Sequence, residues 1–152
     1  MTIKISKYHK ENGFSLIEIM VVISIIAILS SISIFALNEA RISGRNAKRK
    51  ADLSQIASAL ELYKADCNFY PSAIPPADSQ FTGCTSNVYI EVMPDDPDDG
   101  NDYSYSPSGC VGSNCTSFKL WTALETSASV PSYCGAAPGG CGEACNYCVT
   151  NP

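Results

Sequence analysis

The sequence predicts an α+β protein. One long N-terminal helix, transmembrane in its first half and amphipathic in its second, packs on a small antiparallel β-sheet, followed by disulfide-rich C-terminal loops. Three observations carry this expectation. Residues 14–37 form an almost unbroken apolar run. Leu53, Ile56, Leu60 and Tyr63 then recur at helical spacing. All eight cysteines lie beyond the apolar run, among short segments rich in aromatic and β-branched residues.

The apolar run comes first in the chain and constrains it most. About 24 residues at a helical rise of about 1.5 Å extend roughly 36 Å, enough to cross a hydrocarbon core of about 30 Å. Residues 14–37 contain neither proline nor glycine, so nothing local breaks the helix, which argues for a straighter span. Serines aside, the only polar residue in the run is Glu18, near its start. A carboxylate there is costly in lipid, by about a few kcal/mol and less near the interface. It calls for a partner, yet no basic residue follows until Arg41. A chain cut before Phe14 would supply one as a new N-terminal amine.

A leader carrying Lys4, Lys7 and Lys10, then Gly13-Phe14-Ser15-Leu16-Ile17-Glu18 and the apolar run, resembles the prepilin signal of type IV pilins and secretion pseudopilins. The resemblance implies that a prepilin peptidase cleaves after Gly13 and N-methylates Phe14. It also implies that Glu18 pairs with the Phe14 amine of a neighbouring subunit in a helical filament. Residues 40–66 and the Tyr70-Pro71 that follows are similar to major pseudopilins of the G type, whose fold is pilin-like. On this basis the chain divides into a leader (1–13), a transmembrane or filament-core helix (14–37), an amphipathic helix half (38–66), a globular sheet region (67–125) and a Cys-rich tail (126–152). An ordinary secretory signal peptide has an apolar stretch of about 7–15 residues, shorter than this run. A plain anchor explains neither Gly13 nor Glu18.

In the amphipathic half, Leu53, Ile56, Leu60 and Tyr63 mark the face expected to pack on a sheet, with Asp52, Glu61 and Lys64 left to water. Just before it, Arg41, Arg45, Lys48, Arg49 and Lys50 concentrate positive charge, whereas residues 51–152 carry 12 acidic residues against two lysines, a net of −10. Arg41, Arg45 and Lys48 share a helix face with Arg49 beside them. That face is expected either to meet lipid headgroups or stay solvated, or to meet the acidic loops of neighbouring subunits. No nucleic-acid partner is expected, because the patch belongs to a strongly negative domain.

Charge alone leaves the orientation of the span open, with three lysines before it and five basic residues after it. The prepilin resemblance implies a single-pass cytoplasmic (inner) membrane precursor, leader in the cytoplasm and globular domain exported, then an extracellular or periplasmic filament.

Three strands are predicted: residues 88–92, residues 103–105 and, as the strongest, residues 118–124. Pro94, Pro97, Gly100 and Pro107 punctuate them as turns. A sheet of these strands laid on the helix is expected to bury Leu53, Leu60 and Trp121 together. The order of motifs, Asp-Pro, then Tyr103-Ser104-Tyr105, then Phe118-Lys119-Leu120 before Ala123-Leu124-Glu125, is similar to the G-type pseudopilin sheet.

The region beyond the helix has about 85 residues, too few for a large core, so staples are expected. Cys67, Cys84, Cys110, Cys115, Cys134, Cys141, Cys145 and Cys148 read as about four disulfides in an oxidising compartment, with about 105 pairings open. Zinc at the four tail cysteines is the competing reading, but they lack two separated C-x2-C knuckles. The glycine-rich tail is expected to be a loop held by its bridges, with no core of its own.

Enzymatic chemistry has little to work with. The single histidine, His9, lies in the leader, so the processed chain would have none for a nucleophile's base or a catalytic zinc. No glycine-rich phosphate loop occurs. The acidic loop with Asp95, Asp96, Asp98, Asp99 and Asp102 is the one candidate cofactor site. Clustered carboxylates suit calcium, and resemblance to calcium-binding G-type pseudopilins points the same way. The EF-hand register fails at Pro97, and a solvated turn is the alternative.

The functional expectation is a structural subunit of a type IV filament, and not an enzyme. It would form a homo-oligomer and work with prepilin peptidase, an assembly platform, minor pilins or pseudopilins, and the membrane. Surface pilus and secretion pseudopilus both remain open. The alternative is a membrane-anchored exported binding domain that does not polymerise.

Overall fold

The computed structural model describes residues 13–126, 129–136, 138–142 and 144–151. The fold is α+β, as expected. One uninterrupted helix, α1 (Leu16–Cys67), is followed by short strands β1 (Tyr70–Pro71), β2 (Phe81–Thr82), β3 (Val88–Ile90), β4 (Ser104–Ser108), β5 (Asn114–Cys115), β6 (Ser117–Thr122) and β7 (Tyr147–Thr150), with a 3-10 turn (Ser132–Cys134) before β7. The chain divides into two units, Met1–Ala40 and Arg41–Pro152.

In the first unit every described side chain of residues 14–37 is exposed, Phe14 and Leu16 at 81% and 77%. The helix begins at Leu16 with the Glu18 and Ile19 amides donating to the Ser15 carbonyl. This stretch is long and apolar enough to cross a membrane.

The second unit is built around Leu53, Ile56, Ala59 and Leu60 of α1. These pack with Tyr70, Phe81, Ile90, Met93, Phe118 and Leu120, all buried, and with half-buried Tyr63. The Tyr63 and Phe81 rings stack with centroids 5.6 Å apart, and Tyr70 meets Phe118 edge-on at 4.9 Å. The helix face read from spacing is therefore the core face. Its flanks differ from expectation. Asp52 is buried and accepts bonds from Lys48 (2.8 Å) and the Tyr103 hydroxyl (2.7 Å). Glu61 accepts from the Tyr70 hydroxyl at 2.8 Å, and Lys64 lies over the Tyr70 ring. At Asp52 and Glu61 a tyrosine hydroxyl that would otherwise lack a partner bonds the carboxylate, while Glu61 and Lys64 remain half-exposed to water.

Strand pairing also departs from the predicted single sheet. The main sheet is β4-β6-β7, antiparallel throughout. β3 pairs instead with β2, and β1 with β5, in separate two-stranded sheets. The third strand of the main sheet comes from the Cys-rich tail, so that tail is not loop alone. Nor does Trp121 join Leu53 and Leu60. Side chains alternate across a strand, so Phe118 and Leu120 face α1 while Trp121 points to the opposite side. There Trp121 and Ala123 form a second core with Cys134, Cys141, Cys145 and Cys148.

All eight cysteines are paired: Cys67–Cys84, Cys110–Cys115, Cys134–Cys148 and Cys141–Cys145. The first ties the end of α1 to the β2–β3 loop, and the second closes the β4–β5 turn. The last two make the second core. Gly142, at φ 75°, sits so close to Gly100 and Asn101 that an added Cβ would lie 1.9 Å from the Gly100 carbonyl oxygen. The tail therefore rests on the acidic loop, and only glycine allows the approach.

Candidate functional site

Two sites stand out, one at the start of α1 and one where the structure joins the basic patch to the acidic loop, which the sequence offered separately. At the first, Gly13, Phe14 and Ser15 precede the helix without regular structure and are exposed. Ser15 and Glu18 stand at the N-cap and third helical positions. The Ser15 amide approaches the Glu18 Oε2 at 3.4 Å. This is one half of a capping box, readable in the sequence as S-x-x-E; Glu18 thus serves its own helix terminus as well as any partner. Leader residues 1–12, with His9, Lys4, Lys7 and Lys10, lie outside the described residues.

At the second site, three of the basic residues find acidic partners within the chain. Arg49 is fully buried. Its Nε donates to Asp96 Oδ2 at 2.8 Å and its Nη2 to Asp96 Oδ1 at 2.8 Å, while Nη1 reaches Glu125 Oε1 at 3.0 Å. The Asp96 side chain is also fully buried. Arg45 grips the other side of Glu125, with Nε on Oε1 at 2.6 Å and Nη2 on Oε2. Lys48 Nζ bonds the Asp95 carbonyl at 2.7 Å as well as Asp52. Asn46 completes the arrangement, its Oδ1 accepting the Glu125 amide at 3.0 Å. Positions 45, 46, 48 and 49 span about one helical turn, so they hold two distant segments, residues 95–98 and 125–126, against one stretch of α1. Lys50 lies over the Tyr147 ring of β7 at 5.4 Å.

Sequence reading grouped these cations but assigned them to lipid or neighbouring subunits. It gave Glu125, just beyond the predicted strand 118–124, no role. Lys48 and Asp52 are four positions apart on α1, a spacing that a helix brings together, but the acids that Arg45 and Arg49 meet are 47 to 80 positions away, and no local pattern signals such pairs. Of the five loop aspartates, Asp96 is committed to Arg49, and the Asp95 carboxylate accepts the Asp96 amide at 2.9 Å. Asp98, Asp99 and Asp102 are not brought together with them. Among the described residues, no three His, Cys, Asp or Glu side chains are grouped so as to hold a metal ion.

The electrostatics follow from these bonds. Hydrogen bonds from Arg45, then the charges of Arg45 and Arg49, hold the Glu125 carboxyl below the usual glutamate range against the opposing effect of burial. Bonds from Tyr89 and Asn87 likewise lower Asp66. Burial first, and the bond to Asp52 second, push the Tyr103 hydroxyl well up. A depressed carboxylate stabilises the fold above its unfolded value, about 4, and that contribution is lost as pH falls through the lower folded value. The thermal midpoint of the chain is therefore expected to hold between pH 7 and about 5 and to drop below about pH 4. In Glu125→Gln the fall should be shallower. A midpoint insensitive to acid would contradict the assigned roles of Glu125 and Asp66.

An exposed apolar helix continuing into a disulfide-stapled α+β domain is the architecture of the pilin and pseudopilin class. Residues 8–34 match the prokaryotic N-terminal methylation motif. The chain is 32% identical over 114 residues to type II secretion system core protein G of Vibrio cholerae, covering 70% of this chain and 77% of that protein. It is 32% identical over 113 residues to the same protein of Pseudomonas aeruginosa (68% and 79% covered) and 33% identical over 106 residues to that of Escherichia coli (62% and 70%). No solved structure matches the chain. The chain belongs to the family of type II secretion system core protein G, the G-type pseudopilins.

Proposed function

We propose that this chain is the polymerising subunit of a secretion pseudopilus. Prepilin peptidase cleaves it after Gly13 and N-methylates Phe14. An assembly platform with minor pseudopilins then builds it from the cytoplasmic membrane into a homo-oligomeric helical filament. The observation that carries this reading is the exposed apolar face of residues 14–37 with Glu18 as its one charge. Such a face is stable in lipid before assembly and against other copies of itself afterwards. An exposed, irregular Gly13–Phe14 junction beside it suits a peptidase. Kinship with core protein G favours the pseudopilus over the surface pilus.

Intact and N-terminal mass spectrometry of the chain recovered from native membranes or sheared filaments tests the reading. A chain beginning at methylated Phe14 is expected. A chain still carrying Met1, or one cut near Ala36, would end the filament reading and leave an anchored or secreted domain.

A further inference from the structure

The acidic loop that invites a calcium ion in the sequence meets cations from the chain itself. We propose that Arg49, with Lys48 beside it, is the resident cation of this loop, and that the exported domain folds and holds the loop without a divalent ion. The proposal concerns the single folded chain and does not depend on its polymerising.

Three features carry it. First, Asp96 is fully engaged: its two oxygens take the paired Arg49 bonds, and Oδ1 also accepts the Asp98 amide at 3.0 Å. A buried carboxylate is tolerated only when paired and bonded in this way, and the planar guanidinium fork matches it geometrically. Second, Lys48 Nζ occupies the Asp95 carbonyl at 2.7 Å, a type of oxygen that calcium takes as a ligand. A divalent ion approaching Asp95 and Asp96 therefore meets two fixed positive charges. Third, calcium needs about six to eight oxygen ligands, whereas Asp98, Asp99 and Asp102 are exposed and ungrouped. The residues do not fit calcium; they fit a guanidinium donated from α1. Glu125, bonded to the same guanidinium, ties the end of the β6 segment into the same arrangement.

The test is thermal unfolding of the full-length chain in detergent micelles, followed by far-UV circular dichroism and Trp121 fluorescence, in excess EDTA and in excess calcium chloride at matched ionic strength. The two midpoints are expected to agree within about 2 °C, since an ion that does not bind the folded state cannot shift it. A calcium-dependent rise of about 5 °C or more would overturn the proposal, because saturating a specific site raises the midpoint by at least that much. Arg49→Lys supplies the second arm. It keeps the charge and loses the fork, and is expected to melt about 5 °C or more below the parent. A parental midpoint in Arg49→Lys would equally overturn the assignment.

Discussion

Glu18→Ala is expected to give a chain that is still cleaved and still resides in the membrane but yields filaments at about a tenth of the parental level or less. About 1.4 kcal/mol per added subunit already corresponds to tenfold, and a carboxylate in lipid costs about a few kcal/mol. Among the described residues, the Glu18 carboxylate meets the Ser15 amide at a long 3.4 Å. An amine created at Phe14 by the proposed cleavage would be largely cationic at neutral pH, and on a neighbouring subunit it would give Glu18 a charged partner. Pairing would thus supply a driving term and a register together. Glu18→Gln separates the two roles of the residue. It keeps an oxygen for the helix cap and removes the charge, so it should fail to assemble like Glu18→Ala. Sheared material measured by immunoblot, normalised to cleaved subunit, reads the effect. Parental yields from both variants would rule out charge pairing.

Replacing Cys134 and Cys148 together by Ala is expected to lower the thermal midpoint by roughly 10–20 °C and to shift Trp121 emission to the red. The bond closes 14 positions, for which loop-closure entropy predicts about 3 kcal/mol. Each kcal/mol moves the midpoint of a domain this size by roughly 4–8 °C. The emission change follows from position: Trp121 is the only tryptophan, is 1% exposed, and is covered by the tail cysteines. Without Cys134–Cys148, β7 loses its tie to the 3-10 turn and the indole gains water. The Cys110–Cys115 bond closes only five positions, for which the same expression predicts about 2 kcal/mol, so its loss should lower the midpoint less and leave Trp121 emission unchanged. An unshifted emission in the double variant would mean that the second core stands without its bridge.

The basic patch shows how far charge composition can be read and where it stops. Five cations beside an acidic domain pointed outward, to lipid, water or neighbouring subunits, whereas three of them are paired within the chain. Arg49 meets Asp96 and Glu125 because the chain returns to α1 twice after long excursions, and each return is a tertiary event. The same limit explains Asp52. Helical spacing put it outside the apolar stripe, yet the Tyr103 hydroxyl arrives from a distant segment to bond it.

The sequence by itself determined the long helix, the apolar face of its first half, the Leu53–Ile56–Leu60 core face of its second and the resemblance of residues 13–18 to a prepilin signal. Each is a property of neighbours within a turn or two, where periodicity and composition act directly. The even number of cysteines and their place beyond the apolar run also pointed to pairing. Only the tertiary structure decided which cysteines join, that the tail would contribute β7, and that Trp121 would leave the helix core for a second one. Alternation within β6 requires two faces, but the residues covering the second face come from the tail, well beyond the strand itself. Pairing over such separations is selected by the packing of the whole domain, which no local pattern encodes.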